Sequence, residues 1–153
     1  MEAARDLELK AVYSRSRESA RSLGTNDDKV DLFSDDSGPD KSLDDLLARP
    51  DIHAVIIALP IKNQPEYIRK ALLAGKHVLS EKPIAENVKE AEQLIKWYRS
   101  NVDQKITWSI AENFRYLNSF DHARKAIEGK GRLLNFRCRV QNLVEGGKYF
   151  ETK

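Results

Sequence analysis

The sequence has little cysteine and no long apolar run, and both shortages narrow the kind of protein it encodes. Its single cysteine, Cys138, excludes an internal disulfide. The central apolar run, Ala54 to Leu59, is far shorter than the roughly 20 residues that a membrane-spanning helix needs. Residues 1–6 lack the apolar core of a signal peptide. We therefore expect a cytoplasmic protein with no membrane partner.

A strong charge of one sign is also missing. The 26 basic and 24 acidic side chains leave a net charge of +2. No dense basic run is interleaved with aromatics, so nucleic acid is not an expected partner. The three histidines, His53, His77 and His122, have no metal-ligand spacing, so we predict no metal site. The balance of 41% hydrophobic and 33% charged residues is typical of a folded domain.

Strand and helix patterns alternate along most of the chain. Short apolar or alternating runs predict strands at residues 7–13, 30–33, 54–59, 76–80 and 106–110, with helices between them. The run 54–59 is continuously apolar, which is typical of a strand buried on both faces. The repeated strand–helix order predicts an α/β fold with a Rossmann-like doubly wound parallel sheet.

Polar residues before the helical runs are suited to cap them at their N-termini. These residues are Ser16, Ser42, Asn63 and Asn87, the last of them followed by Glu90 as in a capping box. Gly75 and Gly129 are predicted to end the helices that precede them.

The last segment differs from the rest of the chain. Apolar residues alternate with polar ones at Leu134, Phe136, Cys138 and Val140. One apolar and one wet face favour the opening strand of a second domain, of α+β class. We place the domain boundary within 111–117, which gives a partial dinucleotide-binding domain at 1–115 and the start of a substrate and oligomerisation domain at 116–153.

Two stretches resemble motifs of a known family. Residues 71–85, with the sequence ALLAGKHVLSEKPIA, resemble the central signature of the Gfo/Idh/MocA oxidoreductases. Residues 111–116 resemble the second motif of that family. The resemblance implies a Rossmann domain that binds NAD or NADP, followed by an open sheet that contacts substrate and forms homo-oligomers. It also implies hydride transfer between nicotinamide and a carbon of a sugar, polyol or diol.

The resemblance makes Lys82 the catalytic residue. Oxidising an alcohol removes a hydride and the hydroxyl proton, and a positioned amine speeds the proton step. Its ammonium form also stabilises negative charge that develops on oxygen. Burial beside the cationic nicotinamide would lower the pKa of such an amine. The alternative is an ordinary solvated surface lysine.

The resemblance also implies a set of cofactor-binding residues. They are Ser14, Arg15, Ser16, Leu59, Pro60, Glu81, Lys82, Pro83, Asn113 and Arg115. No acid adjoins Arg15, and an arginine at this place accommodates the 2′-phosphate of NADP, so NADP is expected ahead of NAD. The alternative for the first pair of residues is that Ser16 is only a helix cap and Arg15 is solvated. The separate alternative for Asn113 and Arg115 is a loop salt bridge. Gln64 departs from the family pattern, which has histidine at its position.

The glycine-rich turn of a Rossmann fold is missing from this sequence. None of the 7 glycines forms a Gly-x-Gly-x-x-Gly turn, which holds a pyrophosphate at a helix N-terminus. We expect the first strand and the end of the second domain to be absent, so that the sheet closes up, stays split or borrows a strand. The chain is then a piece of an oxidoreductase, and whether the piece itself catalyses turnover is an open question. The alternatives are a non-catalytic dinucleotide-sensing regulator and an interaction module.

Overall fold

The computed structural model describes residues 6–23, 29–132, 134–137, 139 and 141. The chain divides into two compact units, Met1–Glu112 and Asn113–Lys153. In the first unit, the described elements follow in the order β1 (Ala11–Ser14), α1 (Arg17–Ser22), β2 (Asp31–Ser34), α2 (Leu43–Ala48), β3 (Ala54–Ile57), α3 (Gln64–Leu73), β4 (His77–Ser80), α4 (Val88–Asn101) and β5 (Trp108–Ile110). Strands and helices alternate, which confirms the α/β prediction.

The strands form two parallel sheets. β1 pairs with β2, from Ala11 opposite Asp31 to Ser14 opposite Ser34. The second sheet has the order β3-β4-β5, with β4 in the middle. Within the described residues, no ladder joins one sheet to the other. Of the three expected arrangements, the described strands therefore show the split one.

Side chains join the two sheets into one core. The buried cluster consists of Phe33, Leu46, Leu47, Ile52, Ile57, Ile68, Ala71, Leu72, Val78 and Leu94. Phe33 belongs to β2, whereas Ile57 and Val78 belong to β3 and β4, so both sheets contribute to this cluster. Burying one such large side chain contributes about 1.5–3 kcal/mol. Packing therefore connects the sheets where backbone hydrogen bonds do not.

Arg49, just after α2, connects the two sheets at the starts of their strands. Its guanidinium pairs with Asp31 at the start of β2 (2.5 Å) and with Asp51 before β3 (2.7 Å). Its carbonyl oxygen accepts a 2.7 Å hydrogen bond from Lys76 Nζ, just before β4. The hydrogen bond from Arg49 lowers the pKa of Asp51 to about 2. The amino ends of strands from both sheets thus meet at one edge, and the carboxyl ends lie at the opposite edge.

The face of β3 opposite the core contradicts the prediction of burial on both sides. Ile57 is 7% exposed, but Ile56 is 58% exposed and Leu79, its partner on β4, is 38% exposed. The core cluster takes residues from α2, α3 and α4, and it includes Ile57 and Val78. These helices therefore cover one face of the sheet, and the apolar residues of β3 on the other face are left open.

The predicted helix caps are formed in most cases. Ser16 Oγ accepts from the Ser19 N–H, and Ser42 forms a full capping box with Asp45. Asn87 Oδ1 accepts from the Glu90 N–H at 3.0 Å, but the return bond from the Asn87 N–H to the Glu90 carboxylate is not formed, so the predicted capping box is only half present. The prediction for Asn63 is wrong, because its backbone is already helical (φ −89°, ψ −24°) and its side chain forms no capping bond. Pro65 in the first turn removes one of the N–H groups that a cap would accept from.

The second unit contains a 3₁₀ helix, Asn113–Tyr116, and α5, Asn118–Ile127. Phe114 stacks on Phe120 with ring centroids 6.5 Å apart. The strand expected from residue 134 is not formed over 134–137, where Leu134 is 88% and Phe136 is 77% exposed. In the described part of the chain, no strand pairs with this stretch. Cys138 and Val140 lie outside the described residues. None of the described helices combines the length and apolar character needed to cross a membrane.

We expect the first unit to lose stability as the pH falls from about 4 to about 2. Hydrogen bonds from Ser34, Ser42 and Arg49 respectively hold the pKa values of Asp36, Asp45 and Asp51 below the usual aspartate value. Because the folded pKa is the lower one, this stability is present above the unfolded pKa and is lost as the pH falls through the folded pKa.

Urea unfolding of the wild type and of Asp51→Asn between about pH 7 and pH 2 measures this effect. We expect the asparagine variant to be less stable near neutral pH and to show a flatter decline in acid. A wild-type chain whose unfolding free energy rises on acidification would contradict the prediction.

Candidate active site at the carboxyl edge

Most of the predicted cofactor-binding residues of the first unit follow the carboxyl end of a strand. Ser14 ends β1 and is followed by Arg15 and Ser16; Leu59 and Pro60 come after β3; Glu81, Lys82 and Pro83 come after β4. Ligands of open α/β sheets bind outside this edge. The edge is therefore the candidate site, on the side of the unit opposite Arg49.

The turn after β4 is held in place by a backbone hydrogen bond and by the burial of two residues. The Glu81 N–H donates to the Ile57 carbonyl at 2.9 Å, which continues the ladder between β3 and β4. The Lys82–Pro83 peptide bond is cis. Ile84 and Ala85 are buried, at 8% and 5% exposure. The start and the end of the turn are thus fixed to the first unit.

Lys82 itself is exposed, as are Glu81 and Pro83 on either side of it. The turn thus projects from the end of the strand and carries the amine at the surface of the unit. The Lys82 N–H donates to Glu81 Oε2 at 3.1 Å. The Glu81 carboxylate thus contacts the backbone that carries the amine.

Gln64, the first residue of α3, contacts this turn. Its side chain is 1% exposed, and Nε2 donates to the Pro83 carbonyl at 3.1 Å. Its Oε1 is buried with no hydrogen-bond partner among the described residues. An unpaired buried acceptor costs about 1–3 kcal/mol. The sequence indicated Gln64 only as a departure from the family pattern, and not as a contact of the turn.

Leu59 and Pro60 lie in the loop that leads from β3 to Gln64. Leu59 packs against the core, and the Pro60 carbonyl accepts from the Asn63 N–H at 2.9 Å. Farther out, Lys62 pairs with Glu86 at 3.7 Å, and both side chains are exposed. The loops after β3 and β4 therefore lie side by side, and they form one wall of the candidate site.

The carboxyl end of β1 carries an exposed arginine. Arg15 makes no ion pair or hydrogen bond with any residue that the structure describes. The neighbouring Ser16 is an N-cap, as one of the alternatives foresaw. The guanidinium of Arg15 is therefore available to an anion at this edge.

Two acids missed by the sequence interpretation lie beside β1. Asp36, after β2, accepts from the Ser34 hydroxyl (2.6 Å) and the Arg17 N–H (2.7 Å), and these bonds lower its pKa. Asp35 accepts from the Tyr13 hydroxyl at 2.7 Å. Burial, together with this hydrogen bond, raises the pKa of Tyr13 above its usual range. The signal that indicates the Asp35–Asp36 pair is its position directly after β2, the strand that pairs with β1.

Asn113 and Arg115 belong to the 3₁₀ helix of the second unit, and both are exposed. Arg115 forms no ion pair within the described ranges, so the alternative of a loop salt bridge finds no support there. The described part of the chain holds no group of three or more His, Cys, Asp or Glu side chains suited to a metal ion. His77 instead accepts from the Thr107 N–H at 3.0 Å, through Nδ1.

Comparison with known proteins shows the family to which the chain belongs. Residues 1–106 match the sequence model of GFO_IDH_MocA, described as an oxidoreductase family with an NAD-binding Rossmann fold. The chain belongs to the Gfo/Idh/MocA oxidoreductase family. The signature that predicted the family, 71–85, lies within the matched range and includes the Lys82 turn.

Relatives within the Gfo/Idh/MocA family are longer than this chain. Dehydrogenase FPY6 of Fusarium mangiferae is 49% identical over an alignment of 153 residues, and the alignment covers 96% of this chain and 43% of FPY6. The scyllo-inositol 2-dehydrogenase (NADP(+)) IolU of Bacillus subtilis is 32% identical, over 86% of this chain and 37% of its own length. A crystal structure of scyllo-inositol dehydrogenase from Lactobacillus casei with NAD(H) and scyllo-inositol has a TM-score of 0.64 and 25% identity, and the match covers 79% of this chain and 33% of that one. The chain thus spans less than half of each relative.

Proposed function

We propose that this protein serves NADP-linked hydride transfer between nicotinamide and a carbon of a sugar, polyol or diol. The observation that carries the proposal is the exposed Lys82 amine at the carboxyl edge, on a turn fixed to Ile57 and Gln64. Named relatives that act on scyllo-inositol support the substrate class. The bound nicotinamide would supply or accept the hydride.

The residues present fit the two ends of such a dinucleotide. The guanidinium of Arg15 suits a phosphate, because its planar fork of donors matches phosphate oxygens. The amine of Lys82 suits the reacting oxygen, from which it would take or to which it would return a proton at Nζ. The sequence holds no Gly-x-Gly-x-x-Gly turn for the pyrophosphate between them, so we expect weaker binding of the cofactor than a Rossmann fold with that turn provides.

Absorbance of reduced nicotinamide tests the proposal directly. The purified 153-residue chain is mixed with NADPH and a panel of keto sugars and oxidised inositols, and in the other direction with NADP and the corresponding polyols. We expect slow turnover with at least one member of the panel. NADPH binding without turnover would favour the dinucleotide-sensing alternative, and the absence of both binding and turnover would refute the proposal.

Replacement of Arg15 tests the preference for NADP. Loss of a charge-assisted hydrogen bond to phosphate costs about 1.5–3 kcal/mol, so we expect Arg15→Ala to weaken NADPH binding roughly 10- to 100-fold and to leave NADH binding nearly unchanged. Fluorescence titration with both cofactors measures the ratio.

Arg21→Ala is the matched control for this test, since it removes an exposed arginine from the last turn of α1. It should leave both affinities as in the wild type. A wild type that binds NADH more tightly than NADPH would exclude the preference for NADP.

An interaction module is the second candidate, because the open face of β3 and β4 exposes Ile56 and Leu79. Its partner would be a second copy of the chain, in line with the homo-oligomer expected from the family. Light scattering over a range of concentrations tests this candidate. The cytoplasm is our proposed location, supported by the single Cys138.

A further inference from the structure

The amide of Gln64, at the start of α3, is buried. Its Nε2 donates to the carbonyl of Pro83, the residue directly after Lys82, at 3.1 Å. Its Oε1 is buried and unpaired with respect to the described residues. The opposite orientation of the amide would place two acceptor oxygens against each other at Pro83, so the contact itself fixes which atom is nitrogen.

Stability alone does not explain this amide. Burying an amide oxygen without a partner destabilises a fold, whereas an apolar side chain of the same length avoids that penalty. Methionine has a similar length and flexibility and fills irregular gaps well. A residue selected only to fill the space under the turn would therefore be better as methionine. What the amide adds is the one directed bond to the Pro83 carbonyl.

We propose that Gln64 is a positioning residue for Lys82. Its amide nitrogen holds the Pro83 carbonyl, and the backbone that carries the lysine amine is thereby fixed relative to the N-terminus of α3. The inference rests on the proposed role of Lys82 and adds a second residue to it. The Ile57 carbonyl holds the turn on the Glu81 side, and Gln64 holds it on the Pro83 side, so Lys82 is fixed between two backbone contacts.

The variant Gln64→Met separates positioning from packing. We expect an unchanged or higher melting temperature, since the unpaired oxygen is removed. We also expect hydrogen exchange of the amides of 81–86 to be roughly 3- to 10-fold faster, which corresponds to the loss of one hydrogen bond. Exchange in β1 and β2 should not change. In turnover assays, kcat should fall several-fold while KM stays within about 2-fold, as for a group that acts mainly in the transition state.

The same substitution at Gln93, an exposed residue of α4, is the matched control and should leave all of these quantities unchanged. A lower melting temperature of Gln64→Met, with faster exchange across the whole first unit, would show a purely structural role and overturn the proposal. Unchanged exchange at 81–86 would overturn it as well.

The variant Gln64→Glu supplies a rescue that depends on pH. A protonated carboxyl group donates its O–H to the Pro83 carbonyl, whereas the ionised group has no donor. We therefore expect protection of 81–86 to approach that of the wild type in mild acid and to fall as the pH rises, after correction for intrinsic exchange. Protection that does not depend on pH would contradict the directed bond. If the wild-type chain neither binds NADPH nor turns over, the proposed function fails, whereas the exchange data still decide the role of Gln64.

Discussion

We expect Lys82→Met to lower NADPH-dependent turnover by about 10²- to 10⁴-fold, the usual contribution of a positioned acid–base group. Methionine keeps the length of the side chain and removes the amine, so proton transfer to the substrate oxygen is lost. Because Lys82 is exposed at the tip of its turn, the substitution should not disturb the core. The measurement is the initial rate of NADPH oxidation at saturating substrate, together with the dissociation constant of NADPH.

The control for this variant is Lys89→Met, which removes an exposed lysine from the first turn of α4. It should retain the wild-type rate. We expect the affinity of Lys82→Met for NADPH to change far less than its turnover. A Lys82→Met chain with near wild-type turnover would remove Lys82 from the mechanism and leave it as a solvated surface residue.

The largest loss of stability is expected from Leu94→Ala. Leu94 lies in α4, is 0% exposed and belongs to the cluster shared by the two sheets. Removing a fully buried leucine side chain costs about 2–5 kcal/mol, which is a large part of a typical domain stability of about 5–15 kcal/mol. Chemical denaturation followed by the fluorescence of Trp97 and Trp108, which both pack against this cluster, measures the change.

Leu73→Ala is the matched control, because Leu73 at the end of α3 is 67% exposed. A surface substitution of this kind changes stability by only about 0.5 kcal/mol or less. Equal destabilisation by the two substitutions would contradict the assignment of Leu94 to the core, and so would an unfolding midpoint of Leu94→Ala that matches the wild type.

Local signals in the sequence were sufficient for most of the elements of the first unit. The strand β4 follows Gly75, whose positive φ of 75° ends α3 in the way that glycine permits. The serine caps at Ser16 and Ser42 act on N–H groups only three residues away, so the sequence alone specifies them. The first strand was predicted from residue 7 but begins at Ala11, opposite the start of β2. Its length is set by the partner strand, which no local pattern contains.

Features that depend on distant parts of the chain were harder to predict. A continuous apolar run at 54–59 is the pattern of a strand buried on both faces, but the exposure of Ile56 depends on what covers that face. In the site, the motif identified the Lys82 turn, whereas the contact of Gln64 with Pro83 joins residues 19 positions apart. The acids Asp35 and Asp36 reach the end of β1 only through the pairing of β1 with β2. These contacts follow from topology and not from spacing in the sequence.

The clamp formed by Arg49 has a consequence for motion. It joins Asp31 of one sheet to Asp51 and Lys76 beside the other, and in the described ranges no ladder crosses between the sheets. Beyond this clamp, the described parts of the sheets are connected by the packing of the shared core and not by backbone hydrogen bonds. We therefore expect the distance between Arg15 and Lys82, at the opposite edge, to vary more than the distance between Asp31 and Asp51.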